Sequence, residues 1–139
     1  MSRNLEDLHP AIRPVAEYFV RKCSEMGFPV LITETFRTAA EQDALYEQGR
    51  SRPGKVVTNA KGGQSPHNFG LAFDVCFRLP DGRVSWEEPE RDAWTMIGKL
   101  GEASGLVWGG NFHGFPDRPH FEWPTWKLVA AQMTEGGVG

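Results

Sequence analysis

The chain has 139 residues, of which 40% are hydrophobic and 24% are charged, which is the composition of an ordinary globular protein. Eighteen acidic residues against 15 basic residues give a formal net charge of −3. This length predicts a single domain, 1–139, and the slightly acidic charge argues against nucleic acid or an anionic membrane surface as a partner.

The sequence predicts no membrane insertion, because no apolar run is long enough to span a bilayer. Residues 1–10 lack the apolar core of a secretory signal, so we expect synthesis in the cytoplasm without a signal peptide. Cys23 and Cys76 show no CxxC spacing. We expect two buried thiols, although the sequence leaves a disulfide open.

The first half of the chain predicts two helices that flank a strand. Helical spacing of apolar residues indicates a helix within residues 9–27, and the β-rich run 29–36 predicts a strand. A second helix is expected within 38–50, with Thr38 as its N-cap. The Gly- and Pro-rich segment 50–64 reads as a long loop, and loops of this length are often functional.

The second half alternates short strands with helices. A hairpin turn is expected at Asp81-Gly82, and residues 134–139 are expected to fray. The mixture of helices and turn-linked strands predicts an α+β fold with a small antiparallel sheet and flanking helices. The strands are predicted at 71–77, 106–110 and 120–123, and the helices at 88–105 and 124–133.

Asp74 is the one polar residue in the apolar run 71–77. A buried carboxylate is costly unless it is paired, hydrogen-bonded or bound to a metal. His67 lies upstream at a glycine-containing bend, and His120 opens the last predicted strand. Two histidines and a carboxylate are typical of catalytic zinc sites, and Asp117 is placed to act as a base beside them. The spacing alone also fits ordinary core or surface histidines.

Three motifs resemble those of the M15-type zinc peptidoglycan peptidases, the D-Ala-D-Ala carboxypeptidase and L-alanyl-D-glutamate endopeptidase group. "SPHNFGLAFD" resembles the family's S-x-H-x-x-G-x-A-x-D motif, and "DRPHFEW" resembles its D-x-P-H-F-E motif. "ETFRTAAEQDALYEQGR" resembles a third motif with a conspicuous arginine. The motifs occur in the family's order over about two-thirds of the chain, and the similarity is nearest to phage endolysins with L-alanyl-D-glutamate peptidase activity.

The resemblance implies a role for each matching residue. His67, Asp74 and His120 would bind one Zn²⁺ per chain. Asp117 would act first as the general base and then as the acid that protonates the leaving amine. Arg37 would stabilise the oxyanion of the tetrahedral intermediate; without the resemblance, it would be read as a structural salt-bridge residue.

Four further residues are expected near this site. The resemblance assigns Ser65 and Gln42 to substrate binding or to orientation of the site. Trp108 flanks the motifs in the sequence and is a candidate for the substrate groove. Glu122 alternates onto the face of His120 and is expected to accept a hydrogen bond from it behind the metal.

The implied protein is a zinc metallopeptidase with a Hedgehog/DD-peptidase-like fold that hydrolyses peptidoglycan stem peptides. The preferred function is an L-alanyl-D-glutamate endopeptidase that acts as a phage endolysin, a monomer without a separate wall-binding domain. Such an enzyme would wait in the host cytoplasm and reach the wall through a holin. The alternatives are a D-alanyl-D-alanine carboxypeptidase or dipeptidase, a non-catalytic zinc module, and a wall-binding domain without hydrolysis.

Overall fold

The computed structural model describes residues 1–136, and within them four helices and five strands form the α+β fold predicted from the sequence. Short 3-10 turns at Leu5–Asp7, Pro66–Phe69 and Gly109–Asn111 connect these elements. The helices are α1 Arg13–Glu25, α2 Ala39–Glu47, α3 Ala93–Ala103 and α4 Trp126–Gly136, and the strands are β1 Val30–Glu34, β2 Ala72–Arg78, β3 Val84–Ser85, β4 Val107–Trp108 and β5 His120–Glu122.

All pairings of the sheet are antiparallel, and the strand order is β1-β2-β5-β4, with β3 paired to β2. The register sets Asp74 on β2 opposite His120 on β5. On the other side of β2, Asp74 pairs with Glu34, after an irregularity in β1 between Ile32 and Glu34. Three polar residues from distant parts of the sequence therefore lie side by side across the middle of the sheet.

The hydrophobic core lies between one face of the sheet and helices α1 and α3. Phe73 of β2 stacks on Phe121 of β5 with ring centroids 5.7 Å apart, and Phe19 of α1 packs against both rings. Because side chains alternate along a strand, Asp74 points to the opposite face from Phe73. The core thus orients Asp74 away from itself.

Local sequence signals explain where the first two helices begin. The helix predicted within 9–27 starts at Arg13, because Pro14 lacks an N–H and its ring is incompatible with further helix on its N-terminal side. Thr38 caps α2 as predicted: its hydroxyl accepts the Glu41 N–H, and the Glu41 side chain accepts the Thr38 N–H.

The remaining predictions divide into confirmed and corrected ones. The segment 50–64 contains no helix or strand, as expected. Helix α4 continues through Gly136, so the expected fraying from residue 134 is wrong over 134–136, and 137–139 lie outside the described residues.

Both cysteines are buried and free. Among residues 1–136, no helix has the length and apolar character needed to cross a bilayer.

Candidate metal centre and active site

His67 is held in one orientation by its own turn. Ser65 caps this turn and accepts the His67 N–H at 3.3 Å, and Gly70 ends it with a φ of 68°, which favours glycine. The His67 ring is 2% exposed, and its Nδ1–H donates to the Thr35 carbonyl at 2.8 Å. Because Nδ1 is engaged by this carbonyl, Nε2 is the ring nitrogen that faces Asp74.

Asp74 lies between the two histidines. Its Oδ1 is 3.2 Å from His67 Nε2 and 3.1 Å from His120 Nδ1. On its far side, the His120 ring donates Nε2–H to Glu122 Oε1 at 2.7 Å. One ligand atom each from His67, Asp74 and His120 lies within 4.8 Å of the other two. The sheet register and the His67 turn therefore bring together two imidazole nitrogens and one carboxylate oxygen.

Electrostatics shows that this cluster is built to hold positive charge. Burial by itself raises the pKa of Asp74, but the charge of His67 and the hydrogen bonds from both histidines bring the pKa well below its usual value. Burial lowers the pKa of His120, whereas its hydrogen bonds to Asp74 and Glu122 raise it to about 10.

The donor set fits zinc. Imidazole nitrogen and carboxylate oxygen are common zinc ligands, and catalytic zinc has three protein ligands and one open position. His67 and His120 each bind a carbonyl or carboxylate oxygen through the nitrogen that faces away from Asp74, as metal-bound histidines commonly do. Asp74 is 20% exposed at its side chain, so the cluster is open on one side.

That open side faces a cavity of about 580 Å³. The cavity walls come from the ends of β1 and β5, the loop 50–64 and the loop that precedes β5. Of the residues singled out from the sequence, the cavity wall includes Arg37, Ser65, His67, Asp74, Asp117, His120 and Glu122, and the exposed His113 also lies on it.

Asp117 is fixed on the cavity wall by its main chain. Its N–H donates to the Gly109 carbonyl at 2.8 Å, and its own carbonyl accepts the His120 N–H at 3.1 Å. A methyl group on Gly109 would overlap the Asp117 carbonyl oxygen, so the chain here requires glycine. Burial, and then the negative charge of Asp74, raise the pKa of the Asp117 carboxyl. A raised pKa suits a carboxylate that accepts and returns protons.

Arg37 lines the cavity, and hydrogen bonds to Glu34 and Gln42 hold its guanidinium group in place. Its Nε donates to Glu34 Oε1 at 2.9 Å, and its Nη2 pairs with the other oxygen of Glu34. Its Nη1 donates to Gln42 Oε1 at 2.6 Å. A guanidinium has five N–H groups, so two of them remain outside these three bonds. Sequence reasoning missed Glu34; the signal was a carboxylate three residues before Arg37 at the end of β1.

Gln42 and Trp108 lie away from the cavity wall. Gln42 is 0% exposed and donates to the Ala60 carbonyl at 2.8 Å, so it lies behind Arg37 and joins it to the loop 50–64. Trp108 is buried in the core and donates its Nε1–H to the Arg118 carbonyl at 2.8 Å. Neither side chain lines the cavity, because local hydrogen bonds and core packing fix both. Gln42 fits the second of its two expected roles, orientation of the site, whereas Trp108 lies outside the groove in which it was expected.

Comparison with known proteins identifies the class. A family profile described as D-alanyl-D-alanine carboxypeptidase matches residues 58–123. The peptidoglycan L-alanyl-D-glutamate endopeptidase CwlK of Bacillus subtilis (strain 168) is 38% identical over 122 residues, which cover 84% of this chain and 73% of CwlK. The chain belongs to the M15 peptidase family, and it is a hydrolase of the peptidoglycan-degrading kind.

Further relatives agree with this assignment. The L-alanyl-D-glutamate peptidase of Listeria phage A118 is 32% identical over 97 residues, covering 69% of this chain and 31% of that protein. The structure of the L-Ala D-Glu endopeptidase ChiX of Serratia marcescens matches with a TM-score of 0.63 and 27% identity over 91% of this chain and 87% of ChiX. A vancomycin resistance D,D-pentapeptidase VanY in complex with Zn(II) shares the fold, with a TM-score of 0.62 and 15% identity over 94% of this chain and 79% of VanY. The predicted DD-peptidase-like fold is confirmed.

Proposed function

We propose that this chain is a zinc-dependent endopeptidase that hydrolyses the L-alanyl-D-glutamate bond in peptidoglycan stem peptides. The observation that carries the proposal is the meeting of His67, Asp74 and His120 beside Asp117 on one cavity wall. The 38% identity to the CwlK endopeptidase supports the choice of bond.

His67, Asp74 and His120 would hold the zinc ion, with Thr35 and Glu122 fixing the two rings. When bound, zinc polarises a carbonyl group and lowers the pKa of water. Asp117 accepts a proton from the attacking water and returns it to the amine that leaves, so that it ends each turnover ionised. Its fixed main chain keeps this carboxylate at the cavity wall.

Arg37 supplies positive charge where the carbonyl oxygen becomes negative. Glu34 and Gln42 hold three of its N–H groups, and the two that remain are available to the oxyanion. The hydroxyl of Ser65 accepts the His67 N–H, and its own proton is available to a substrate carbonyl. We therefore propose that the Ser65 hydroxyl contacts the substrate.

A second candidate is a D-alanyl-D-alanine carboxypeptidase or dipeptidase. The description of the matching family profile favours it, and the same metal site would serve. A non-catalytic zinc module or a wall-binding domain has less support, because neither requires a carboxylate at Asp117 or a clamped cation at Arg37.

The biological setting we propose is host lysis by a phage endolysin, and the similarity to the Listeria phage peptidase supports it. In that setting, residues 1–139 form one catalytic domain. The enzyme acts as a monomer, accumulates in the host cytoplasm and reaches peptidoglycan after a holin opens the membrane.

Mass spectrometry of purified peptidoglycan after digestion tests the function. The endopeptidase should release peptides that begin with D-glutamate and leave L-alanine on the glycan strand. Chelation should abolish release, and added zinc should restore it. Release of D-alanine alone would favour the carboxypeptidase, and binding to the wall without any product would favour the wall-binding domain.

A further inference from the structure

A second cavity, of about 550 Å³, adjoins the candidate active site at Asp117. Asp117 belongs to the walls of both cavities, so the second cavity borders the candidate active site. Trp86, Arg118 and Pro119 form part of its wall. Neither the metal cluster nor the proposed proton transfer uses these three residues.

Trp86 is unusual among the tryptophans of this chain. It is 54% exposed, whereas Trp94 and Trp108 are buried in the core. The backbone carbonyl of Trp86 accepts the Trp94 Nε1–H at 3.0 Å, so the segment is held in place without the Trp86 ring. A large apolar ring is therefore presented to the cavity where core packing does not require it.

Charged groups border the ring without giving the cavity rim a strong charge. Arg118 is 56% exposed at its side chain, and its Nη1 lies 3.6 Å from Glu88 Oε1, so the two charges offset each other. An aromatic face with nearby donors and acceptors suits a sugar ring, which has a face of C–H groups and an edge of hydroxyl and amide groups. The offset charges match a neutral sugar better than an anionic ligand.

Chain connectivity leads to the same occupant. The L-alanine of the stem is attached directly to a sugar of the glycan strand, and one residue spans at most about 3.6 Å. An enzyme that cuts the bond after this alanine must therefore hold a sugar at the edge of its catalytic cavity. We propose that the cavity formed by Trp86 and Arg118 is this sugar subsite, a proposal that rests on the function proposed above.

Kinetics with two matched substrates tests the subsite. One substrate is an acetylated stem peptide that contains the L-Ala-D-Glu bond, and the other is the same peptide attached to its muramyl sugar. The native enzyme should prefer the glycopeptide by roughly tenfold in kcat/KM, the worth of about 1.4 kcal/mol. Trp86→Ala should lose this preference and cleave the free peptide normally, whereas Trp86→Phe should keep most of it.

Tyr18 on α1 provides a control, since it is an exposed aromatic residue outside both cavities. Tyr18→Ala should behave as the native enzyme does. An unchanged preference in Trp86→Ala, or no preference in the native enzyme, would overturn the subsite.

A binding measurement separates this proposal from the proposed function. The chain has five tryptophans, and their indole N–H signals can be followed by NMR, with Trp86→Phe identifying one of them. A peptidoglycan glycan fragment without stem peptide should shift the Trp86 signal, whereas the free stem peptide should not. A shift without any hydrolysis would retain the subsite and reject the endopeptidase. An unmoved Trp86 signal, or an equal shift with the free peptide, would reject the subsite.

Discussion

At the scale of single residues, Asp117 is the carboxylate whose loss should separate metal binding from catalysis. Asp117→Asn keeps the shape and the main-chain bonds of the residue but loses its charge. We expect zinc content to stay near one per chain, because Asp117 is not among the three clustered donors. Turnover should fall by roughly two to four orders of magnitude, the usual contribution of acid–base catalysis.

Metal analysis together with a hydrolysis assay checks this expectation. Asp92→Asn is the matched control, since its carboxylate is 70% exposed and is not part of the cavity wall. Loss of zinc from Asp117→Asn would make Asp117 a ligand. Full activity in this variant would move the base elsewhere, with Glu122 the next residue to test.

Arg37 gives a second prediction at this scale. Arg37→Ala would leave Glu34 as an unpaired, largely buried carboxylate, and such a loss typically costs about 3–5 kcal/mol of stability. Arg37→Lys retains the charge but not the two-pronged geometry. We expect Arg37→Lys to fold and bind zinc, and to lose roughly a hundredfold or more in kcat, as for loss of one oxyanion donor. Thermal unfolding and kcat measured on the same sample test this; near-native kcat would make Arg37 a structural residue.

These residues also show how far the sequence could predict the site. The sequence indicates Asp74 as a site residue because a carboxylate interrupts an apolar run. The resemblance of the motifs then implies that His67 and His120 bind the same metal ion. The position of Glu34 beside Asp74 depends on the register of β1 against β2, and the burial of Gln42 depends on where the loop 50–64 lies. Those long-range placements leave no local pattern, so a single sequence does not reveal them.

At the scale of elements, the turn Gly109–Asn111 positions the loop that carries Asp117 and His120. Gly109→Ala should push the Asp117 carbonyl away, because the added methyl group overlaps it. We expect lower zinc affinity and turnover reduced by at least about tenfold, since small displacements of catalytic groups are costly. Zinc titration and hydrolysis rates measure both effects.

Asn111→Ala is the control within the same turn, because its side chain is exposed and, among residues 1–136, bonds to Glu102 alone, at 3.3 Å. It should leave zinc affinity and turnover unchanged. If Gly109→Ala also had no effect, the loop would be more adaptable than its close packing indicates.

Elements differed in how well the sequence predicted them. Thr38 and Glu41 define the start of α2 because a capping box is a local hydrogen-bond pattern. Trp108 was misplaced for the opposite reason. The sequence places it within a short predicted strand, but the ring packs against Gly98 and Gly110, and only the packed structure shows that these two glycines make room for it.

At the scale of the whole molecule, zinc should stabilise the fold, because a ligand that binds only the folded state adds its binding energy to stability. At a free zinc concentration of 100 times Kd this amounts to about 2.7 kcal/mol. Differential scanning calorimetry should show a lower unfolding temperature after chelation and recovery when zinc is added. His67→Ala should abolish this dependence on zinc.

His113→Ala provides the control for this experiment, since His113 is an exposed histidine on the same cavity wall. It should keep the full response to zinc. If His113→Ala lost the effect of zinc on the unfolding temperature and His67→Ala kept it, His113 would replace His67 in the proposed ligand set.

The segment before α1 supports the first histidine of the cluster. Ser2 donates its N–H to the Phe36 carbonyl at 2.9 Å and accepts the Thr35 N–H at 2.8 Å, and the Thr35 carbonyl in turn binds His67. Further along, the His9 N–H donates to the Gly70 carbonyl at 2.8 Å. For protein engineering, trimming this segment or fusing a bulky tag to it would disturb the site, so a fusion partner belongs after α4.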